Sequence, residues 1–431
     1  MKSNRHSFVG KGYLFPFVLI TFFFFLWGFA RAILDVLNPF FQQTFQIDKT
    51  QAAMIQFVTY VAYFLMAIPA GMLIRKYGTR HGVVIGLIAF GGAALSFVLS
   101  QFFGSHIFWF YLFLLFVIGC GLACLEVAAN PYVTLLGEPE TAASRINRAQ
   151  SFNGLGCIFG AMLGGAYCFL GDEPNISTPY IVIGIVVLLI AIIFSRVKLP
   201  EFVIERAQED TTANSAKQEN SNTAGSTGLM KHPLFLFGLF ALFCYEVAEI
   251  AINSFFINYA TENNMALMIS TLIKNAFGAT LDHHFIASIV LSVGLFLFMC
   301  GRFTGSWIMS FVRAENVLFC CAIGTVTMTA LVVMDIHIVS FVSSILIFVF
   351  ESIMFPTIFA LSIKGLGKLT QKASAVLMMT PIGGAVGTVM MGIAADHRDM
   401  TFSFLVPLTG FIVILVYSAF ILRKNRSSKR V

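Results

Sequence analysis

Twelve continuous apolar runs, each about as long as a bilayer is thick, decide what this chain can fold into. Their cores lie near residues 13–36, 52–74, 82–101, 107–133, 149–170, 179–196, 233–259, 285–311, 316–335, 338–361, 373–395 and 402–422. A helix needs about 20 apolar residues to cross the hydrocarbon core. A barrel strand needs about ten, with alternating polarity. These runs do not alternate, so they predict helices. Composition agrees: 58 % of residues are apolar and 11 % charged, under half the roughly 25 % charge of a soluble domain. The expected fold class is therefore an all-α polytopic membrane protein with twelve transmembrane helices. The first run exceeds the apolar part of a signal peptide and no small-residue cleavage site follows it, so it reads as the first span.

Orientation follows from the basic residues, which favour the cytoplasmic face. With both termini inside, all but five of the 27 Lys and Arg residues fall in the cytoplasm. Lys49, Lys274 and Arg398 fall outside, and Arg31 and Arg302 lie within spans. The formal net charge of +6 thus reflects topology and contact with anionic lipid, and argues no nucleic-acid partner. The location expected is the cell (plasma or inner) membrane, as a monomer.

Residues 201–232 interrupt the apolar pattern. "ERAQEDTTANSAKQENSNTAGSTG" is polar and nearly free of large apolar residues, the composition of a flexible linker. It divides the chain into a six-helix half over 1–200 and a second over 233–431. The halves echo one another: "LNPFFQQ" at 37–43 matches "INSFFIN" at 252–258, and Glu126 before Pro131 matches Glu351 before Pro356. Such halves are the layout of the major facilitator superfamily, where substrate binds near the midplane between repeats. The loop "GMLIRKYGTR" from Gly71 resembles that superfamily's G-x-L-x-D-R-x-G-R-[KR] signature, with Arg75 at the acidic position.

Ionisable residues inside a membrane are costly, about 2.5–3.5 kcal/mol each even on insertion scales, and so mark function or pairing. Asp35, Glu126, Glu246, Glu249 and Glu351 are the candidates. Asp35 has Arg31 four residues earlier on the same helical face and Asn38 three residues later. It fits both a coupling carboxyl and a structural pair with Arg31. Glu126 stands among apolar neighbours, which favour the neutral, proton-bearing carboxyl. Asn130 lies one turn away. Gln150 and Asn153 share one helical face, and their amides suit a hydroxyl-rich ligand or glue between helices. Glu249 and Asn253 form one stripe. Glu246 fits an inter-helix role as well, and Glu351 holds the place of Glu126 by duplication.

Other chemistries lack their residues. The eight cysteines form no CxxC pair with metal spacing. Gly156, Gly160 and Gly164, like Gly383 and Gly387, repeat every four residues and predict helix contacts, with no dinucleotide fingerprint. No metal cluster, nucleophile elbow or cofactor loop is evident, so an enzyme is not expected, nor any metal or cofactor beyond the proton as coupling ion.

The segments "FFLWGFARAILDVLNPFFQQTF", "CGLACLEVAANPYVTLLG", "RINRAQSFNGLG", "GRFTGSWIM" and "FPTIFALSIKGLG" together resemble the fucose–galactose–glucose:proton symporter family, and among its members L-fucose permeases, over nearly the whole chain. The resemblance implies proton-coupled monosaccharide import by alternating access, with L-fucose the first candidate and galactose or glucose beside it. It implies that Asp35 and Glu126 couple the proton. Asn130, Gln150 and Asn153 match polar cavity positions, and Asn38, Glu249 and Asn253 join them as candidate sugar contacts. Trp27, Tyr60 and Tyr63 offer rings for the sugar's apolar face. Arg31 stands where fucose permeases carry Asn. Glu249 matches the glutamate of glucose/galactose-type members. A proton/drug antiporter and a sugar uniporter of the same fold are the alternatives.

Overall fold

In the computed structural model the described residues are 13–104, 107–136, 142–170, 177–196, 229, 232–278, 280–309, 311–366 and 369–427. They form helices and turns, with no strand among them. The first half-chain contributes α1 (Leu14–Phe45), the short α2 (Lys49–Ala52) running into α3 (Met54–Tyr77), α4 (Thr79–Leu95), α5 (Ile107–Leu135), α6 (Ala142–Leu170) and α7 (Ser177–Arg196). The second contributes α8 (Pro233–Glu262), α9 (Met265–Phe277), α10 (His283–Ile308), α11 (Ala314–Val333), α12 (His337–Glu351), α13 (Met354–Ile363), α14 (Thr370–Leu377), α15 (Ile382–His397), α16 (Met400–Ser403) and α17 (Leu405–Ser427). Most of the linker expected over 201–232 lies outside the described residues.

Among the described residues, eleven helical segments are long and apolar enough to cross a membrane. The run expected over 373–395 is instead divided into α14 and α15 by a turn at Met378–Pro381. Pro381 has no N–H to offer the carbonyl of Leu377. The Thr380 hydroxyl donates to that carbonyl instead, at 2.7 Å. A second break falls between α12 and α13. Pro356 cannot bond the carbonyl of Ser352, which accepts from Arg302 Nε at 3.3 Å. The neighbouring carbonyl of Glu351 accepts from the Tyr245 hydroxyl at 3.3 Å. By contrast α5 runs unbroken through Pro131. The equivalent Glu-x₄-Pro segments therefore build different backbones.

The described chain gathers into two compact units. One holds residues 1–31, 61–157 and 175–223. Within it α4 packs on α5 and α7. A β-carbon at Gly121 would meet the carbonyl of Gly86 at 2.7 Å, so bare backbone lets α4 and α5 touch. The other unit holds residues 32–60, 158–174 and 224–431. Its centre is α8, which packs against α10, α13, α15 and α17. The glycine repeats lie at helix contacts: a β-carbon at Gly156 or Gly387 would overlap the carbonyl of Phe25 or Val247 respectively. Large apolar side chains such as Ile68, Trp109 and Phe113 point outward, the pattern of a surface solvated by lipid.

Candidate functional site

In the first unit the site is built on α1, α3, α5 and α6. Glu126 is half-buried on α5. With Phe23, Phe24, Trp27, Leu125 and Ala129 it lines a small cavity. The guanidinium of Arg31, on α1, acts electrostatically on Glu126. Trp27 donates from Nε1 to the Tyr63 hydroxyl at 2.7 Å, fixing two of the rings singled out in the sequence. Asn153 donates from Nδ2 to the carbonyl of Phe24 at 3.1 Å. That contact requires α1 and α6 to approach closely, and Gly28 permits it: a β-carbon there would overlap the carbonyl of Asn153. Gln150 is half-buried one turn earlier on α6. The side chain of Asn130 lies outside the described residues.

The second unit holds Asp35, Asn38, Glu249 and Asn253. Asp35 is buried and accepts from Gln56 Nε2, on α3, at 2.9 Å. Asn38 is fully buried. Its amide donates to the carbonyl and hydroxyl of Ser254 at 3.0 and 2.9 Å, and its Oδ1 accepts from Gln42 at 3.0 Å. Gln42 Oε1 accepts in turn from Asn258 at 2.8 Å. A polar seam therefore joins α1 to α8, and the structure places Asn38 inside it. The seam continues through Lys49, which pairs with Glu262 at 2.9 Å. Asp396 then accepts from the backbone N–H groups of Lys49 and Thr50 and from the Thr50 hydroxyl.

Glu249 is half-buried, and the Oδ1 of Asn253 is buried with no hydrogen-bond partner among the described residues. Glu246, Glu249, Glu351 and Arg302 all act electrostatically on the buried Tyr245. No group of three or more His, Cys, Asp or Glu suited to a metal occurs among the described residues.

The sequence reading did not single out Gln42, Gln56, Ser254 or Asn258. A signal was present. Asn38 and Gln42, like Ser254 and Asn258, are four residues apart in apolar helices, which puts each pair on one face.

Residues 20–379 match the model of the Major Facilitator Superfamily. The chain belongs to that superfamily. It is 33 % identical over 418 residues to a glucose/galactose transporter of Brucella abortus biovar 1, covering 94 % of each chain. It is 32 % identical over 436 residues to the L-fucose-proton symporter of Escherichia coli, covering 95 % of this chain and 94 % of the relative. The crystal structure of the transporter FucP in the outward conformation is similar with a TM-score of 0.66 at 30 % identity, over 95 % of this chain and 99 % of that one. The all-helical major facilitator fold expected from the sequence is thereby established.

Proposed function

We propose that this chain is a proton-coupled symporter that imports a monosaccharide by alternating access, a transporter and not an enzyme. The observation that carries the proposal is Glu126, a carboxyl in a mostly apolar lining on which the Arg31 guanidinium acts electrostatically. An ionisable side chain held inside a span marks a proton path. In this reading Glu126 and Asp35 carry the coupling proton. Gln150, Asn153 and Asn130 bind sugar hydroxyls from the first half, and Glu249 and Asn253 do so from the second. Asn38 serves the sugar path through the seam it holds. The proton is the only coupling ion, no cofactor takes part, and the working unit is a monomer in the cell membrane with both termini cytoplasmic.

The sugar is one of the classes named for its relatives. L-fucose is the first candidate, and Glu249 supports galactose or glucose as the second. The test is proton movement in de-energised vesicles on adding L-fucose, D-galactose or D-glucose. External alkalinisation with one of them supports symport and identifies the sugar. Counterflow of a sugar without proton movement would make the chain a uniporter. Silence with all three, alongside proton-driven export of a lipophilic cation, would make it an antiporter.

A further inference from the structure

Gln56 sits where an amide can read the charge of a carboxyl. It is 1 % exposed on α3, and its Nε2 lies 2.9 Å from Asp35 Oδ1 on α1. Its other amide atom, Oε1, is buried with no hydrogen-bond partner among the described residues. An amide carries a donor on one side and an acceptor on the other. Anchored at both ends, it would be locked in one orientation. Here the far end holds nothing, so a half-turn about the last side-chain torsion breaks no bond there. The near end then presents a donor to a carboxylate, or an acceptor to the O–H of a neutral carboxyl.

Asp35 is itself placed to pass its state on. Pro39 has no N–H to give the backbone carbonyl of Asp35. One and two turns further along α1, Asn38 and Gln42 hold the seam to α8. Among the described residues, the ionisable groups on the elements around this stretch include Arg31 one turn earlier on α1, Tyr60 one turn beyond Gln56 on α3, Asp48 and Lys49 at α2, Asp396 on α15 against α2, His284 on α10 against Gln43, and Glu246, Glu249 and Glu262 on α8. Gln56 is a neutral group that bonds the carboxyl directly.

We propose that Gln56 is a positioning residue for proton coupling: its amide donates to Asp35 when the carboxyl is charged and turns to accept from it when the carboxyl is protonated. The proposal rests on the reading of Asp35 as a coupling carboxyl. The experiment is an infrared pH titration of the purified full chain in lipid nanodiscs, following the protonated-carboxyl band that disappears in Asp35→Asn. Gln56→Leu and the near-isosteric Gln56→Met both remove the amide donor. A hydrogen bond to a charged group outweighs one to a neutral group, so losing it favours the proton-bearing form. The midpoint of the Asp35 band should move to higher pH by about one unit, a tenfold gain in proton affinity. A purely structural Gln56 would change yield or stability and leave the midpoint alone. An unmoved midpoint in either folded variant overturns the role of Gln56 while Asp35 stands. A parent chain in which Asp35→Asn removes no titrating band overturns the Asp35 reading and this proposal with it.

Discussion

Replacing Asn38 by Leu tests the seam between α1 and α8 quantitatively. The substitution keeps the volume apolar and removes two interhelical hydrogen bonds, to the carbonyl and to the hydroxyl of Ser254. Neither acceptor is stranded by the loss. The carbonyl belongs to a continuous helix, and a serine hydroxyl can turn back onto its own helix. The Gln42 amide loses its acceptor as well, but that bond lies within α1 and Gln42 is half-buried, so the two interhelical bonds set the effect across the seam. Interhelical side-chain bonds in membrane proteins average about 0.6 kcal/mol, so two amount to about 1.2 kcal/mol, or about eightfold in the equilibrium between closed and open seam. Ser254→Ala removes only one of them and should give about threefold. The reporter is Phe41→Cys, at a fully buried position of α1, in a chain whose eight native cysteines have been replaced. Its labelling rate with a membrane-impermeant thiol reagent follows the open population. The double variant should label as fast as Asn38→Leu alone, because the shared bond is already gone. Additive effects, or equal rates for the two single variants, would refute the assignment of both bonds to Asn38.

Three further outcomes follow from the packing. Gly156→Val places a side chain where even a β-carbon overlaps the carbonyl of Phe25. It should cost at least the about 1–3 kcal/mol typical of overpacking, seen as a lower unfolding temperature in detergent. Asp396→Ala strips the backbone N–H groups of Lys49 and Thr50 of their acceptor and should cost about 1–2 kcal/mol, the range of a lost helix cap. Glu262→Gln breaks only a partly exposed ion pair and should cost under about 1 kcal/mol. The two variants are to be compared by thermal unfolding side by side, and the reverse order would contradict this ranking.

The spans were legible because lipid imposes a length on each apolar run, and that length survives in the sequence whatever the helices pack against. The helix breaks were less so. Pro131 and Pro356 stand in matching sequences, yet only the second opens its helix. There Arg302 and Tyr245, far away in the chain, are at hand to take the freed carbonyls of Ser352 and Glu351. The short helix α9 escaped notice because at 13 residues it is too brief to span. The candidate carboxyls were visible through their cost in an apolar segment. Their partners were not. Arg31 was weighed as a mate for Asp35, one turn away on its own helix; that it also acts on Glu126 of α5 was not visible. Gln56, which holds Asp35, is an uncharged residue in a span and carries no comparable mark. Partner choice depends on which helix faces meet, and a single chain's periodicity does not encode that.

In the proposed cycle Glu126 links proton movement to sugar movement. The most direct measurement compares the parent with Glu126→Gln in the same vesicles, recording sugar-driven proton uptake and sugar counterflow on one preparation. The variant should keep counterflow, because the amide mimics the protonated carboxyl, and lose sugar-driven proton uptake. A variant that still takes up protons with its sugar as the parent does would contradict that link.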